Sequence, residues 1–183
     1  MKKILLSMTM AVVAISGCAD NSKKQQAEPE SIAAEAAAVE TAAVEADGVM
    51  APDFTLNDLN GKPLALSSLR GKYVILDFWG SWCGWCIKGF PEMKNYYKKY
   101  AGKFEILGID CNDTEDKWKN AVKENELPWL HVYCPNESTV KEYFGIQGYP
   151  TKIILSPEGK IVKTIVGEDP AFYELLDSLF GKK

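Results

Sequence analysis

Two cysteines three residues apart are the residues of this sequence best suited to chemistry. Cys83 and Cys86 lie in residues 82–86 (Trp-Cys-Gly-Trp-Cys), where an apolar strand-like run at 73–79 gives way to a predicted helix. The unpaired backbone N–H groups at a helix N-terminus stabilise a thiolate, which is the form of cysteine that attacks disulfides. Cys86 lies one helical turn further on and on the same side, where it can displace a substrate held on Cys83. Cys83 is therefore the predicted nucleophile and Cys86 the predicted resolving thiol.

Two other roles for this cysteine pair fit the sequence less well. Together with Cys111 and Cys134 it would supply four zinc ligands, but these two cysteines lack the short spacing of a zinc knuckle. An inert structural disulfide across so short a loop would remove little entropy from the unfolded chain. The spacing and the strand-to-helix context favour a redox-active dithiol.

Cys111 and Cys134 each follow a predicted parallel strand, at 104–110 and 129–133. If these strands are neighbours, their carboxyl ends meet at one edge of the sheet, and a second disulfide is feasible there. Such a bond would be structural or would act as a relay to the first cysteine pair. The alternative is two buried thiols that behave as small hydrophobic side chains.

The composition argues against several classes of function. The chain has 183 residues and a formal net charge of −4, and its basic residues form no cluster of the kind that binds nucleic acid. Its one histidine, His131, lies in a strand-like run and is expected to pack there. This leaves little material for a Cys–His catalytic pair or a histidine-rich metal site. We expect no metal ion and no organic cofactor.

The first 17 residues are typical of an export signal. Lys2 and Lys3 precede an apolar run at 4–15, which is too short to span a membrane and has the length of a signal-peptide core. The small residues before Cys18 resemble the bacterial lipobox, in which the cysteine is lipidated and becomes the mature N-terminus. A lipoprotein signal peptide at 1–17 is therefore predicted, with an ordinary secretory signal as the alternative.

Residues 18–48 form a biased segment that is rich in alanine and glutamate and contains no aromatic residue. Such a composition cannot bury enough apolar surface to fold alone, so it predicts a flexible tether. The part at 31–46 has helix-forming composition, and a partner-binding helix is the alternative. We expect a bacterial extracytoplasmic protein that is anchored in a membrane by lipid on Cys18 and faces the periplasm rather than the cell exterior.

The globular domain predicted at 49–183 alternates strands and helices. The predicted strands lie at 54–56, 64–66, 73–79, 104–110, 129–133, 151–155 and 161–166. The predicted helices lie at 83–100, 114–125, 137–144 and 170–180. Asn60 and Gly61 are a strong turn signal for a hairpin between the first two strands. The alternation implies an α/β domain whose mostly parallel sheet has helices on both faces and ends in an antiparallel hairpin.

Several segments resemble those of thioredoxins, in the same order along the chain. Residues 77–86 resemble the active-site segment, and Pro91 matches the proline in the active-site helix. Residues 145–151 (Gly-Ile-Gln-Gly-Tyr-Pro-Thr) resemble the segment that carries the cis-proline, and 166–167 resemble the end of the last strand. Upstream, 51–72 looks like the N-terminal hairpin of the extracytoplasmic TlpA/ResA branch. The resemblance covers nearly all of the predicted domain.

This resemblance implies a thioredoxin fold, in which a mixed central sheet is flanked by helices, with an N-terminal β-hairpin and an inserted α–β element. It implies that Asp77 accepts the proton of Cys86, a role that suits a carboxyl whose pKa is raised by an apolar strand. It implies that Pro150 is a cis-proline, whose neighbouring backbone groups can pair with an extended substrate segment.

Four further residues would complete a substrate-binding surface around Cys83. These are Gly148, Tyr149, Trp82 and Trp85. Aromatic side chains of this kind can hold unfolded or peptide segments, whereas Trp79 is expected to pack in the core. Two of these positions depart from the usual pattern. Trp85 stands where thioredoxin has proline, so the reduction potential of thioredoxin cannot be assumed for this chain. Tyr149 is bulkier than the residue that usually precedes the cis-proline.

The resemblance implies a thiol–disulfide oxidoreductase that acts on extracytoplasmic protein thiols and disulfides. The expected direction is reduction, as in cytochrome c maturation or disulfide repair, with electrons from a thiol-transferring membrane protein. A peroxiredoxin-like peroxidase is the enzymatic alternative. That branch needs a Thr-x-x-Cys setting supported by arginine, but here Gly80 replaces the threonine and Arg70 is the single arginine of the sequence. The other alternative is a non-catalytic surface binding protein that kept the fold.

Overall fold

The computed structural model describes residues 48–181, so the predicted signal peptide, lipidation site and tether lie outside the described residues. Within this range the strands are β1 (Thr55–Asp58), β2 (Pro63–Ala65), β3 (Tyr73–Trp79), β4 (Phe104–Cys111), β5 (Leu130–Cys134), β6 (Thr151–Leu155) and β7 (Ile161–Val166). The helices are α1 (Gly84–Lys99), α2 (Glu115–Glu124), α3 (Glu137–Phe144) and α4 (Pro170–Phe180), with a 3₁₀ turn at Leu66–Leu69. No helix in the described range has the length and apolar character needed to cross a membrane.

The strands form one mixed sheet with the order β2-β1-β5-β4-β3-β6-β7. Strands β3, β4 and β5 are parallel neighbours, whereas β1 pairs antiparallel with β2 and β5, and β6 pairs antiparallel with β3 and β7. The α/β thioredoxin-like fold, both hairpins and the mixed sheet that the resemblance implies are confirmed, whereas the mostly parallel sheet inferred from the alternation of strands and helices is wrong. A hairpin extends the parallel strands on each side, and the hairpin strand that adjoins them, β1 or β6, runs in the opposite direction.

The central strand β3 separates two core layers and is buried on both faces, as its continuous apolar run predicts. Because successive side chains alternate in direction, Ile75 and Trp79 pack with residues of α1, α2 and α4, in what we call the α1 layer. Leu76 and Phe78 pack with α3 and the N-terminal hairpin region, in the α3 layer. Asp77 shares the parity of Ile75 and Trp79, so it faces the α1 layer.

Polar side chains cap α2 and α4 close to their predicted boundaries. The Thr114 hydroxyl accepts the backbone N–H of Lys117 at the start of α2 (3.4 Å), and the Asp169 carboxylate accepts that of Ala171 at the start of α4 (2.9 Å). Pro170 occupies the first turn of α4, where a missing N–H loses no helical bond. These local signals explain why the helix positions are legible from the sequence.

Candidate active site

Cys83 and Cys86 lie at the junction between β3 and α1 and are joined by a disulfide. Cys83 is the N-cap residue of α1, and its sulfur accepts the backbone N–H of Cys86 at 3.2 Å. This bond and the positive end of the helix dipole favour negative charge on the Cys83 sulfur. Cys83 is 6% exposed and Cys86 is 2% exposed, so an incoming disulfide reaches Cys83 more easily. The arrangement suits a nucleophile at Cys83 and a resolving thiol at Cys86.

The loop between β3 and Cys83 is held by Asp113, a residue that the sequence did not single out. The Asp113 carboxylate accepts the Ser81 backbone N–H at 2.5 Å and the Ser81 hydroxyl at 2.7 Å. Trp82 Nε1 donates to the backbone carbonyl of Cys111 at 2.9 Å. Both contacts tie the loop to residues at the end of β4, a long-range pairing that no local motif announces.

Replacing Asp113 with alanine is expected to lower the free energy of unfolding by about 1.5–3 kcal/mol, the range for a hydrogen bond to a charged group. The Ser81→Ala variant is the matched control, because it removes the hydroxyl donor and keeps the backbone N–H donor. Urea unfolding of both variants measures the two losses. An Asp113→Ala variant with the parent's unfolding midpoint would show that this carboxylate does not stabilise the loop.

Asp110 places a second carboxyl group behind Asp113, at the end of β4. The side chain is fully buried. Burial, followed by the neighbouring Asp113 carboxylate, raises the pKa of Asp110 to about 9. Asp110 is therefore protonated at neutral pH and adds no charge to the site.

Asp77 is buried in the α1 layer, the layer that also contains Cys83 and Cys86. It is 1% exposed, and its carboxyl oxygens have no hydrogen-bond partner among the described residues. Burial raises the pKa of Asp77 to about 6, while the charge of Lys152 lowers it and that of Glu168 raises it. The predicted direction of the shift is confirmed. A carboxyl that titrates near neutrality is suited to receiving a proton from a thiol.

Lys152 and Glu168 are two charged residues of this site that sequence reasoning missed. Lys152 lies directly opposite Asp77 in the antiparallel β3–β6 pair, and its ammonium group is 2.8 Å from the Glu168 carboxylate. The available signal is a lysine inside the otherwise apolar run of β6. Its partners depend on the strand register and on the position of the loop after β7, neither of which the local sequence specifies.

The segment before β6 contacts the cysteine loop through aromatic rings. The Tyr149–Pro150 peptide bond is cis, which confirms the expected isomer. The Tyr149 ring packs edge-on against Trp82 with centroids 5.2 Å apart, and the Gly148 carbonyl accepts the hydroxyl of the first β6 residue at 2.7 Å. Trp82 and Trp85 are 51% and 63% exposed, which leaves aromatic surface beside the disulfide. The role of these residues in holding substrate stays a prediction.

Sequence comparisons show which known proteins this chain resembles. Residues 71–161 match a thioredoxin-like family model. The thiol-disulfide oxidoreductase ResA of Bacillus cereus is 38% identical over 122 residues, an alignment that covers 66% of this chain and 70% of the relative. ResA of Bacillus subtilis is 36% identical over 122 residues, which cover 66% and 68% of the two chains. The chain belongs to the ResA-like thiol-disulfide oxidoreductases.

Solved structures agree with this assignment. The thioredoxin domain of a thiol-disulfide oxidoreductase from Bacteroides vulgatus matches this ResA-like protein with a TM-score of 0.66 at 32% identity, covering 72% of this chain and 96% of that one. A thiol-disulfide oxidoreductase from Bacteroides fragilis gives a TM-score of 0.65 at 32% identity, covering 71% and 98%. The ResA-like protein is therefore an enzyme of thiol–disulfide exchange.

Cys111 and Cys134 of the ResA-like protein lie side by side at the ends of β4 and β5, as neighbouring parallel strands require. Both are buried and no disulfide joins them in this structure, and the possible second disulfide stays a prediction. The Cys111 thiol donates to the Ile109 carbonyl (3.7 Å) and the Cys134 thiol to the Asn136 carbonyl (3.4 Å). The Cys134 side chain and burial raise the pKa of Cys111, which disfavours its thiolate.

The positions of the two cysteine pairs also bear on their relation to each other. Cys111 and Cys134 belong to the α3 layer, whereas the Cys83–Cys86 disulfide belongs to the α1 layer. The two pairs therefore pack in different core layers, and a relay between them stays a prediction. Among residues 48–181, no three His, Cys, Asp or Glu side chains form a group that could hold a metal ion.

His131 of the ResA-like protein packs between aromatic rings, as expected. Its ring centroid is 6.0 Å from those of Trp79 and Trp129. Burial lowers the pKa of His131 to about 3, so the imidazole is neutral at physiological pH. Gly108 on the neighbouring strand leaves the room this ring needs, because a Cβ there would overlap the imidazole.

Proposed function

We propose that this oxidoreductase reduces disulfides of extracytoplasmic proteins with a Cys83–Cys86 dithiol. The observation that carries the proposal is the Cys83 sulfur at the N-cap of α1, which accepts a backbone N–H and shares a core layer with the buried Asp77 carboxyl. A purely structural disulfide has no need of a group that accepts protons near neutral pH. The thiol-disulfide oxidoreductases that resemble this chain support the same class of reaction.

The reaction proceeds by two exchanges that conserve electrons. The Cys83 thiolate attacks one sulfur of a substrate disulfide, so a Cys83–substrate bond forms as the substrate bond breaks and the other substrate sulfur leaves as a thiolate. Cys86 then loses its proton and attacks the Cys83 sulfur. The Cys83–Cys86 disulfide forms, and the second substrate sulfur leaves as a thiolate. The substrate has gained the two electrons that the enzyme dithiol has lost.

Asp77 takes the proton of Cys86 in the second exchange. Cys86 is nearly inaccessible to solvent, so a proton leaving its thiol needs an acceptor inside the protein. The carboxylate form of Asp77 is available above a pH of about 6, the pKa that burial gives it. The protonated carboxyl can later return the proton to solvent or to a departing substrate thiolate.

The substrate segment lies in extended form beside the cis-proline. Backbone groups around Gly148 and Pro150 pair with it in strand fashion, and the rings of Tyr149, Trp82 and Trp85 contact its apolar side chains. This mode of binding depends on the backbone of the partner and tolerates many sequences. It fits protein thiols and disulfides better than one small molecule.

Membrane anchoring places the reaction outside the cytosol. Lipid on Cys18 and the tether at 18–48 hold the domain near the membrane, on the periplasmic side of a bacterial cell. A reductase in that compartment needs a supply of electrons, which a thiol-transferring membrane protein provides by reducing the Cys83–Cys86 disulfide. Such a reductase would act on the disulfides of apocytochromes, which become thiols in cytochrome c maturation, and on wrongly formed disulfides of other proteins.

The reduction potential of the Cys83–Cys86 pair tests the direction of this proposal. For the full-length protein equilibrated in thiol–disulfide buffers, a value near that of thioredoxin, about −270 mV, would support the reducing direction. The fluorescence of Trp82, which precedes Cys83, and Trp85, which precedes Cys86, reports the transition. A potential near −120 mV would instead describe an oxidant of secreted thiols. A protein that reduces insulin disulfides and consumes no peroxide is the expected outcome; peroxide consumption would favour the peroxidase alternative.

A further inference from the structure

Lys152 is a buried lysine whose ammonium group has a charged partner inside the protein. Its side chain is 1% exposed, and its ammonium group forms an ion pair with Glu168 at 2.8 Å. Burying an ammonium group is costly unless charge partners and hydrogen bonds compensate for the lost water. A lysine in the middle of an internal strand therefore needs an explanation beyond packing.

The partner carboxylate is itself held in a prepared position. Glu168 accepts the Tyr173 hydroxyl at 2.7 Å in addition to the Lys152 ammonium group. It lies against Gly89 of α1, where a Cβ would overlap the carboxylate. Glycine inside a helix is less favourable than alanine, so α1 is less stable at the position where Glu168 approaches. The Lys152 ammonium group also lies 5.4 Å from the centre of the Phe172 ring.

The ion pair stands next to the proton acceptor of the proposed reaction. Lys152 and Asp77 are direct cross-strand neighbours in the β3–β6 pair, so their side chains leave the sheet on the same face. When Asp77 is protonated, the group Asp77, Lys152 and Glu168 is neutral overall. When Asp77 is ionised, the group carries one net negative charge in a buried environment, and the lysine is the sole cation within it.

We propose that Lys152 is a positioning residue for the Asp77 carboxylate, and that Glu168 limits the positive charge that Lys152 presents to it. Lys152 stabilises the ionised form, which accepts the Cys86 proton, and Glu168 prevents that form from being stabilised so strongly that it no longer accepts protons near neutrality. The inference rests on the proposed role of Asp77 and adds that Lys152 and Glu168 together set how readily its carboxylate accepts a proton.

Few other ionisable groups face Asp77. Cys86 lies on α1, in the disulfide, and Tyr173 lies on α4, bonded to Glu168. On the β4 side the residue paired with Asp77 is Gly108, which has no side chain, and the neutral imidazole of the next strand lies beyond it. Asp110, two residues further along β4 on the same face, is protonated at neutral pH. Lys152 and Glu168 are the two charges that act on the pKa of Asp77, in opposite directions.

The test removes each charge in turn in the full-length protein. We expect Lys152→Met to move the titration midpoint of the Asp77 carboxyl carbon, followed by NMR, upward by about one pH unit or more. We expect Glu168→Gln to move it downward, since Lys152 then acts on Asp77 without opposition. The acid limb of the pH–rate profile for insulin reduction is expected to shift in the same directions.

The Lys72–Glu105 ion pair supplies a matched control. It joins Lys72, the residue just before β3, to Glu105, the second residue of β4, at the amino-terminal end of these strands (3.1 Å), so Lys72→Met and Glu105→Gln remove the same charges far from Asp77. Neither control is expected to move the Asp77 midpoint. If Lys152→Met unfolds the protein, Glu168→Gln still tests the inference, because its expected shift has the opposite sign.

The outcomes separate this inference from the proposed function. Asp77 midpoints that stay at the parent value in both Lys152→Met and Glu168→Gln would overturn the inference. If Asp77→Asn nevertheless removes the acid limb of the rate profile, the proposed role of Asp77 stands without it. If Asp77→Asn leaves that profile unchanged, the proposed role of Asp77 fails. Opposite shifts of the Asp77 midpoint in Lys152→Met and Glu168→Gln would then show that the two charges adjust the pKa of Asp77 without any effect on catalysis.

Discussion

A Cys86→Ser variant is expected to stop turnover and to accumulate as a covalent adduct with its substrates. Cys83 keeps its place at the N-cap of α1 and still attacks a disulfide, but no thiol remains to release the product. Insulin reduction should fall to the uncatalysed background. Adducts should appear on non-reducing gels of cell envelopes and disappear on treatment with dithiothreitol.

The Cys83→Ser variant is the decisive comparison for this trap. It should lose turnover to the same extent and form no adduct, because the resolving thiol is nearly inaccessible and lacks the helix N-cap position. A Cys134→Ala variant controls for the loss of a buried thiol and should keep the parent's activity. If Cys83→Ser forms the adducts and Cys86→Ser does not, the two roles have been assigned in the wrong order.

Mass spectrometry of the trapped partners also addresses the substrate. Adducts confined to proteins with haem-binding Cys-x-x-Cys-His motifs would indicate cytochrome c maturation. A broad set of secreted proteins would indicate disulfide repair. The exposed Trp82 and Trp85 rings and the cis Tyr149–Pro150 bond are compatible with both, since they contact a segment without reading its sequence closely.

The parts of this molecule that could be predicted from the sequence are those with short-range causes. β3 could be predicted because a strand buried on both faces is continuously apolar. α4 could be predicted because Asp169 and Pro170 are residues that commonly start helices. The redox role of the paired cysteines could be predicted because their spacing and their place at a strand-to-helix junction both indicate a reactive dithiol. In each case, residues close in sequence specify the feature.

Features with long-range causes were missed or wrongly predicted. The alternation of strands and helices alone predicts a mostly parallel sheet, because it does not show the antiparallel pairing of β1 with β5, two strands far apart in the chain. Lys152 reaches Asp77 through the register of β3 with β6, which the sequence of neither strand specifies alone. Asp113 holds Ser81 across 32 residues of sequence. A buried cation or anion in an apolar run is thus a signal that a partner exists, without showing which.

The Asp77→Asn variant is expected to lose activity and gain stability together. Asparagine cannot accept the Cys86 proton, so the release step should slow at neutral pH, and the rate should lose the acid limb centred near pH 6. Adducts with the Cys83 sulfur should consequently persist longer than in the parent. Stopped-flow measurement of product release across pH 5 to 8, about the range that brackets this midpoint, checks the effect.

The gain in stability follows from the direction of the same pKa shift. The pKa of Asp77 is raised from 3.8 to about 6 on folding, so the folded protein binds the proton more tightly than the unfolded chain. The parent should therefore lose stability as the pH rises from about 4 to about 6, and the loss should persist at higher pH. The size of the shift corresponds to about 3 kcal/mol, which Asp77→Asn should recover at pH 7 and above.

Denaturant unfolding of the oxidised protein at several pH values measures this difference, which should vanish below about pH 4, where the carboxyl is neutral in both states. Asp177→Asn is the control, because Lys99 and Tyr100 lower the pKa of Asp177, and its removal should give no gain at neutral pH. An Asp77→Asn variant that is no more stable than the parent at pH 7 would mean that the charge is compensated in the folded state. If the variant is more stable and less active, the Asp77 carboxyl lowers the stability of the folded protein but is needed to accept the Cys86 proton.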